Sequence, residues 1–296
     1  EPAGPASPLD LETALTRARE RDERLAGRRA LADAADQRVV EARSLDDPRL
    51  SFRQHVEGVQ TRTGEQRFAV GLRQSLPWPG TLSLREARSG ELARAARRDA
   101  AATGLDTERR VREVFHRLAH RLAARELTAR ERAVVRRIFD TASSAYAAGD
   151  GSRAAMLKAQ ATLARLESRL AEHDGRIAEL RAALRQWIGP PPEAGGPGVP
   201  TPDRLPLVNL DPAALEQAAL RHRPELRQLA RERQAAGLDR QLARREAYPD
   251  LSLGLDWIGI GDRPNDPVPP PPDEGDDAWS VSVSLNLPVF VGRREA

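Results

Sequence analysis

His116 and His120 stand four residues apart within a helical stretch, a spacing that puts both imidazoles on one helix face and can bind a metal. No Glu follows His116 directly, no third ligand is evident, and the pair sits among arginines that repel cations. Two packed or solvated histidines account for them. His173 falls on a heptad seam and reads as a polar group that sets register. His55 falls on a polar strand face, where it could touch a passing cation. The run Gly195-Gly196-Pro197-Gly198 has no helix cap after it and is linker, not a phosphate cradle. No nucleophile elbow is present. With no cysteine, disulfides, thiolate chemistry and cysteine metal sites are excluded, which suits an oxidising envelope compartment. No catalytic residue, metal site or cofactor is assigned, and the chain does not read as an enzyme.

The composition points to long helices. Aromatics make up 4% of the 296 residues and charged residues 31%, so a large compact core would be hard to fill. Lys158 is the only lysine among 47 basic residues, and 44 acidic residues interleave with them to leave a net charge of +3. A nucleic-acid binder would gather its positive charge into a patch or tail. Mixed-sign stretches such as Glu108 to Arg137 read instead as a solvated helical face with i,i+4 pairs. No run of about 18 apolar residues is present, so no transmembrane helix is expected. The polar start Glu1-Pro2-Ala3-Gly4 reads as a mature N-terminus left by cleavage.

An internal repeat organises the elements. Leu9-Asp10 and the helix after it reappear as Leu210-Asp211 and another helix, and Pro48-Arg49-Leu50-Ser51-Phe52 reappears as Pro249-Asp250-Leu251-Ser252-Leu253. Ser75-Leu76-Pro77 then matches Asn286-Leu287-Pro288, and Gly80 matches Gly292, with the offset growing in the Pro/Asp-rich stretch Asp262 to Asp277. Two copies of one unit, differing by a loop insertion, explain the pattern. Residues 1–47 hold the first helix, from about Leu9 to Leu45, and residues 210–248 its partner, from about Asp211 to Ala247. Residues 48–80 and 249–290 each form a pair of strands, the second pair enclosing the Pro/Asp-rich loop.

The strands alternate apolar and polar residues. Leu50, Phe52 and Val56 oppose Ser51, Arg53, His55 and Glu57; Phe68, Val70 and Leu72 oppose Arg67 and Arg73; Val281, Val283 and Leu285 oppose Ser280, Ser282 and Ser284. Four strands of about nine to eleven residues match tilted crossings of a bilayer, one face to lipid and the other to a polar lumen. Arg53, His55, Glu57, Arg67 and Arg73 then face the lumen. Trp78, Trp257 and Trp279 lie near strand ends, where interfacial aromatics are expected. Four strands cannot close a barrel, so a membrane role requires several subunits.

Residues 81–188 form a long antiparallel helical hairpin. The outgoing helix, from about Arg85 to Ala148, would be roughly 90 Å long at 1.5 Å per residue. It reverses at Gly149-Asp150-Gly151, and Ser152 caps a return helix to about Ile188. Leu163, Leu166, Leu170, His173, Ile177, Leu180, Leu184 and Trp187 form a coiled-coil seam, matched by Val111, Phe115, Leu118 and Leu122. Residues 189–209 are a Pro/Gly-rich connector.

The run Tyr146-Ala147-Ala148-Gly149-Asp150-Gly151-Ser152, continuing through Leu157-Lys158-Ala159-Gln160 to Leu163, resembles the hairpin tip of TolC-type outer-membrane efflux proteins. Gln74-Ser75-Leu76-Pro77-Trp78-Pro79-Gly80 and Leu285-Asn286-Leu287-Pro288-Val289-Phe290-Val291-Gly292 resemble that family's strand-to-helix corners, the first most like the heavy-metal branch. The resemblance implies a mostly α, α+β fold, with four strands per subunit entering a trimeric twelve-stranded barrel in the bacterial outer membrane and the helices in the periplasm. It implies a passive conduit for metal ions or small toxic compounds, working with a periplasmic adaptor and an inner-membrane pump, with outer-membrane lipid as a further partner and no nucleic acid. Gly149, Asp150, Gly151 and Ser152 would form the adaptor-docking turn, supported by Tyr146, Met156 and Leu157. In the family a second long hairpin, carrying the gate, follows the position of Ala296. Here residues 291–296 read as the start of a truncated helix, and the family's gating carboxylates cannot be placed on this sequence.

Two other readings compete. A soluble periplasmic adaptor or coiled-coil scaffold also carries a long hairpin flanked by β-structure, but it would not show this full-length duplication. A helical nucleic-acid binder would show steep salt-dependent DNA binding. The acidic stretch Asp262 to Asp277 reads as a solvated extracellular loop, with cation collection as its alternative.

Overall fold

The computed structural model describes residues 9–61, 63–189, 211–261 and 275–287. Ten elements follow in order: α1 (Leu11–Arg21), α2 (Glu23–Ala42), β1 (Arg49–Thr61), β2 (Gly64–Leu76), α3 (Thr81–Ala147), α4 (Arg153–Ile188), α5 (Pro212–His222), α6 (Pro224–Arg245), β3 (Leu251–Gly261) and β4 (Ala278–Leu285). The connector at 190–209, most of the Pro/Asp-rich loop, the start at Glu1 and the expected helix at 291–296 lie outside the described residues. No helix of the described residues is long and apolar enough to cross a membrane.

The repeat extends to local geometry, with one correction. Each first helix of a unit was expected to be continuous, and each is broken after eleven residues. The breaks fall at Asp22 and Arg223, which both leave the helical region with ψ of 99° and 121°. At Arg223 the cause is local, because the ring of Pro224 clashes with a helical predecessor. At Asp22 no proline follows. Its carboxylate instead accepts from the backbone N–H groups of Arg24 (2.9 Å) and Leu25 (3.3 Å), capping α2, and from the Thr107 hydroxyl. Asp10 and Asp211 cap α1 and α5 in the same way, accepting from Thr13 and Ala213.

The chain divides into two compact units. The first takes Glu1–Ala30 and Arg98–Glu225. Its core joins α1, α3 and α4: Leu15, Ala18, Val111, Phe115, Leu118, Ile177, Leu184 and Ile188 are all buried. Each of the larger of these side chains contributes about 1.5–3 kcal/mol on leaving water. The seam on α4 follows the heptad reading, with Leu163, Leu166, Leu170, Ile177 and Leu184 buried and His173, Leu180 and Trp187 half-buried. Polar links border this core: Arg19 to Glu108 at 2.9 Å, Arg28 to Asp99 at 3.0 Å, and the Arg24 guanidinium 5.2 Å above the Trp187 ring.

The second unit takes Leu31–Arg97 and Leu226–Ala296. Its four strands form one antiparallel sheet in the order β1-β2-β3-β4, so the two repeats pair through β2 and β3. The strands run 13, 13, 11 and 8 residues, so β1 and β2 are longer and β4 shorter than expected. The strand-to-helix corner is pinned across the repeats. Trp78 stacks on Tyr248 at 5.2 Å, its backbone N–H donates to Asp250 Oδ1 at 3.2 Å, and Arg245 donates to the Pro79 carbonyl at 3.1 Å. Gly80, at φ +86°, makes the turn, and α3 begins at Thr81, four residues before the expected start. On the helices of this unit Arg231 pairs with Glu91 at 3.2 Å, Arg97 with Asp36, and Arg88 with Asp239.

Candidate functional site

The sheet is the first candidate, and register defines its two faces because directly paired residues share a face. Leu50, Leu72, Leu255 and Val281 form one apolar row across all four strands; Phe52, Val70, Trp257 and Trp279 form the next. Leu253 with Val283, and Leu76 with Leu251 and Leu285, continue the same face. This face is open: Val281 is 78% exposed, Leu50 75% and Phe52 67%. Its aromatics are in contact, Phe68 edge-on to Trp257 at 5.3 Å and Trp257 stacked on Trp279 at 6.3 Å. The Trp257 ring N–H donates to Asp277 at 3.0 Å. Trp257 thus lies inside β3 rather than near its end, because the strand runs on to Gly261. From the Trp257 row to the Leu251 row is six residues, or about 20 Å at roughly 3.3 Å per residue. Trp78 lies beyond the opposite end, just after β2. Among the described residues β1 and β4 are edge strands, each paired on one side only.

The opposite face is polar. Ser51, Gly71, Asp256 and Ser280 form one row, and Arg49, Arg73, Gly254 and Ser282 the next. Of the five residues expected on this face, Arg53 and Arg73 lie there, Arg53 opposite Ala69. Arg67 does not. It is the extra residue where the β2–β3 register shifts between Gln66 and Phe68, and a Cβ on Gly261 would meet its Nε, as one on Gly259 would meet the Phe68 ring. Gly259 and Gly261 continue the alternation of Trp257, so the bulge turns Arg67 onto the aromatic face. His55 and Glu57 fall in the interruption of the β1–β2 ladder between Gln54 and Val59, where alternation assigns no face. Arg49 and Asp256 also belong to the polar face; the period-two alternation places both there in the sequence, although neither was expected as a site residue, and only the ladder brings Arg49 opposite Arg73.

The hairpin tip is the second candidate. The N–H of Asp150 donates to the Ala145 carbonyl (3.0 Å) and that of Gly149 to the Tyr146 carbonyl (3.1 Å), with Gly149 at φ +85°. This is a Schellman motif, which needs a left-handed residue at the position Gly149 fills. Ser152 then caps α4, its hydroxyl accepting from the Ala154 N–H at 3.2 Å. Gly151 is packed so closely that a Cβ would stand 2.5 Å from the Tyr146 nitrogen. Tyr146 and Leu157 are exposed and Met156 half-buried.

Elsewhere the chemistry is structural. His116 is half-buried with its ring edge-on to Phe115, and His120 is exposed. Among the described residues no three His, Cys, Asp or Glu side chains cluster as a metal site. The Arg125 guanidinium on Asp174 holds that carboxyl below its ordinary value, linking α3 to α4. Burial pushes the Asp22 carboxyl up, but the Thr107 hydroxyl, two backbone N–H groups and the Arg24 charge outweigh it, and the net shift is downward.

No protein-family model and no curated protein matches the chain. Solved structures do. CusC, described with conformational changes accompanying folding and transmembrane channel formation, is 17% identical, with 96% of this chain aligned to 67% of CusC at a TM-score of 0.73. The outer-membrane channel OprN is 19% identical over 96% of this chain and 66% of its own, at 0.68. The outer membrane protein VceC from Vibrio cholerae is 19% identical over 96% and 69%, also at 0.68. The chain spans about two thirds of the length of these proteins. An exposed apolar sheet, two free edges and a long helical hairpin thus occur together in a chain that has the fold of outer-membrane channels.

Proposed function

We propose that this chain is a subunit of a bacterial outer-membrane efflux channel, its sheet forming one sector of a transmembrane barrel and its helices extending into the periplasm. The exposed apolar face carries this reading. In water a contiguous face of this kind, spanning four strands, would be an aggregation surface. In a bilayer it is the outward band, flanked by aromatics at both ends as in membrane barrels, with the polar face turned to the lumen. The free edges of β1 and β4 require partners, since unpaired backbone groups are not tolerated in lipid. Three copies, joined β4 to β1, close a barrel of twelve strands without any edge. The channel is a passive conduit for small toxic compounds or metal species, driven by an inner-membrane pump and reached through a periplasmic adaptor. The adaptor docks on the turn Gly149-Asp150-Gly151-Ser152, supported by the exposed Tyr146 and Leu157 and the half-buried Met156. The test is the mass of the native gene product extracted from envelope fractions and sized by light scattering. A trimer that needs detergent is expected. A monomer or dimer released by osmotic shock without detergent would discard the barrel.

A further inference from the structure

The polar face of the sheet is not electrically neutral. Arg49 and Arg73 stand directly opposite each other in the β1–β2 ladder, and Gly254 and Ser282 complete their row. Four residues along β1, Arg53 stands on the same face opposite Ala69, about 13 Å away at roughly 3.3 Å per residue. Asp256 is the one carboxylate in these unbroken rows; serine, alanine, glycine and Ile258 fill the other positions. Two glycines floor the surface. A Cβ on Gly254 would stand 3.7 Å from Arg73 Nε, and one on Gly71 would meet Asp256 Oδ1. The Arg73 side chain therefore lies over the bare backbone at Gly254, while the single negative charge is drawn over Gly71 in the neighbouring row. Like charges directly opposite in a ladder are unfavourable. A mobile anion between Arg49 and Arg73 relieves that repulsion, and a cation adds to it.

Resting on the barrel reading above, we propose that the lumen wall supplied by this chain attracts anions, so that the channel passes anionic compounds in preference to bare metal cations. A wall of one predominant sign, backed by low-dielectric protein and lipid, focuses its field into the lumen. The Debye length of about 10 Å at 0.1 M salt lets that field reach into a narrow lumen, whereas about 3 Å at 1 M confines it to the wall. This separates the cargo classes that the fold alone leaves together.

The experiment is the zero-current potential of the native gene product in planar bilayers across a potassium chloride gradient. Chloride should be favoured over potassium by about threefold or more near 0.1 M salt, with the preference shrinking at 1 M. The triple variant Arg49→Gln/Arg53→Gln/Arg73→Gln should keep pore formation and lose the preference. Asp256→Asn, which adds no bulk, should strengthen it. Wild-type pores that favour potassium, or a triple variant with the wild-type ratio, overturn the proposal while leaving the channel intact. Absence of any conductance overturns the barrel reading and the lumen proposal with it.

Discussion

A single arginine placed on either face of β4 separates a membrane barrel from a soluble sheet. Val281 is 78% exposed and lies in the apolar row with Leu50, Leu72 and Leu255. If the sheet is solvated, Val281→Arg replaces an exposed apolar group by a charged one and changes stability by no more than about 0.5 kcal/mol. If the face meets lipid, depth decides the cost. Val281 is two residues, or about 7 Å, from the Trp279 row, inside a band about 20 Å tall, which puts it near mid-depth. There an arginine costs about 2–3 kcal/mol per subunit, the lower part of the midplane range because the guanidinium can reach the near boundary. That is about 30- to 150-fold in the folded, inserted population. Ser282 is the next residue and faces the other way, paired with Gly254 in the row of Arg73. Ser282→Arg should therefore fall within about 0.5 kcal/mol of wild type. Urea titration of refolding into lipid vesicles, followed by tryptophan fluorescence and by heat-resistant migration on gels, measures both. Equal costs for the two variants, or a larger cost for Ser282→Arg, would refute the assignment of the faces.

The helical elements supply further tests. Asp22→Ala removes the cap of α2 and leaves the fully buried Thr107 hydroxyl with one partner fewer, which should cost about 2–3 kcal/mol in denaturant unfolding. Because the folded Asp22 pKa is depressed, its contribution is present above the unfolded value near 3.9 and is lost as pH falls through the folded one; the wild type should lose its advantage over Asp22→Asn in that acid window, and a difference independent of pH would sink the explanation. Gly149→Pro with Ser152→Trp destroys the left-handed turn and the α4 cap at the tip. It should abolish efflux in resistance assays without removing the protein from the outer-membrane fraction, and normal resistance would discard the docking assignment. The His173 Nδ1 is buried on the α4 seam with no hydrogen-bond partner among the described residues, so His173→Leu should stabilise the hairpin by about 1 kcal/mol in thermal or urea unfolding, and a loss of stability would show that the imidazole has a polar role there.

Much of the fold was legible because its signals are local or periodic. Gly149 and Ser152 mark the tip through backbone needs that few residues meet, and the α4 seam follows a simple apolar rhythm. The apolar sides of the strands were legible for the same reason. The candidate site was less so. Arg67 alternates correctly in the sequence, yet one extra residue in the β2–β3 ladder turns it to the aromatic face. His55 and Glu57 fail similarly at the β1–β2 interruption. The break at Asp22 has no proline to announce it, and it is fixed by Thr107, which lies 85 residues away.

By itself, then, the sequence determined what depends on chain-local physics: the duplication, the helical hairpin and its turn, the period-two strands, and the absence of thiol chemistry. The tertiary structure alone decided the strand order that joins the two repeats through β2 and β3, the row of Phe52, Val70, Trp257 and Trp279 across four strands, and the meeting of Arg49 with Arg73. Register is the reason. A ladder between distant segments sets which side chains share a face, and a single bulge reverses that assignment without altering the local pattern.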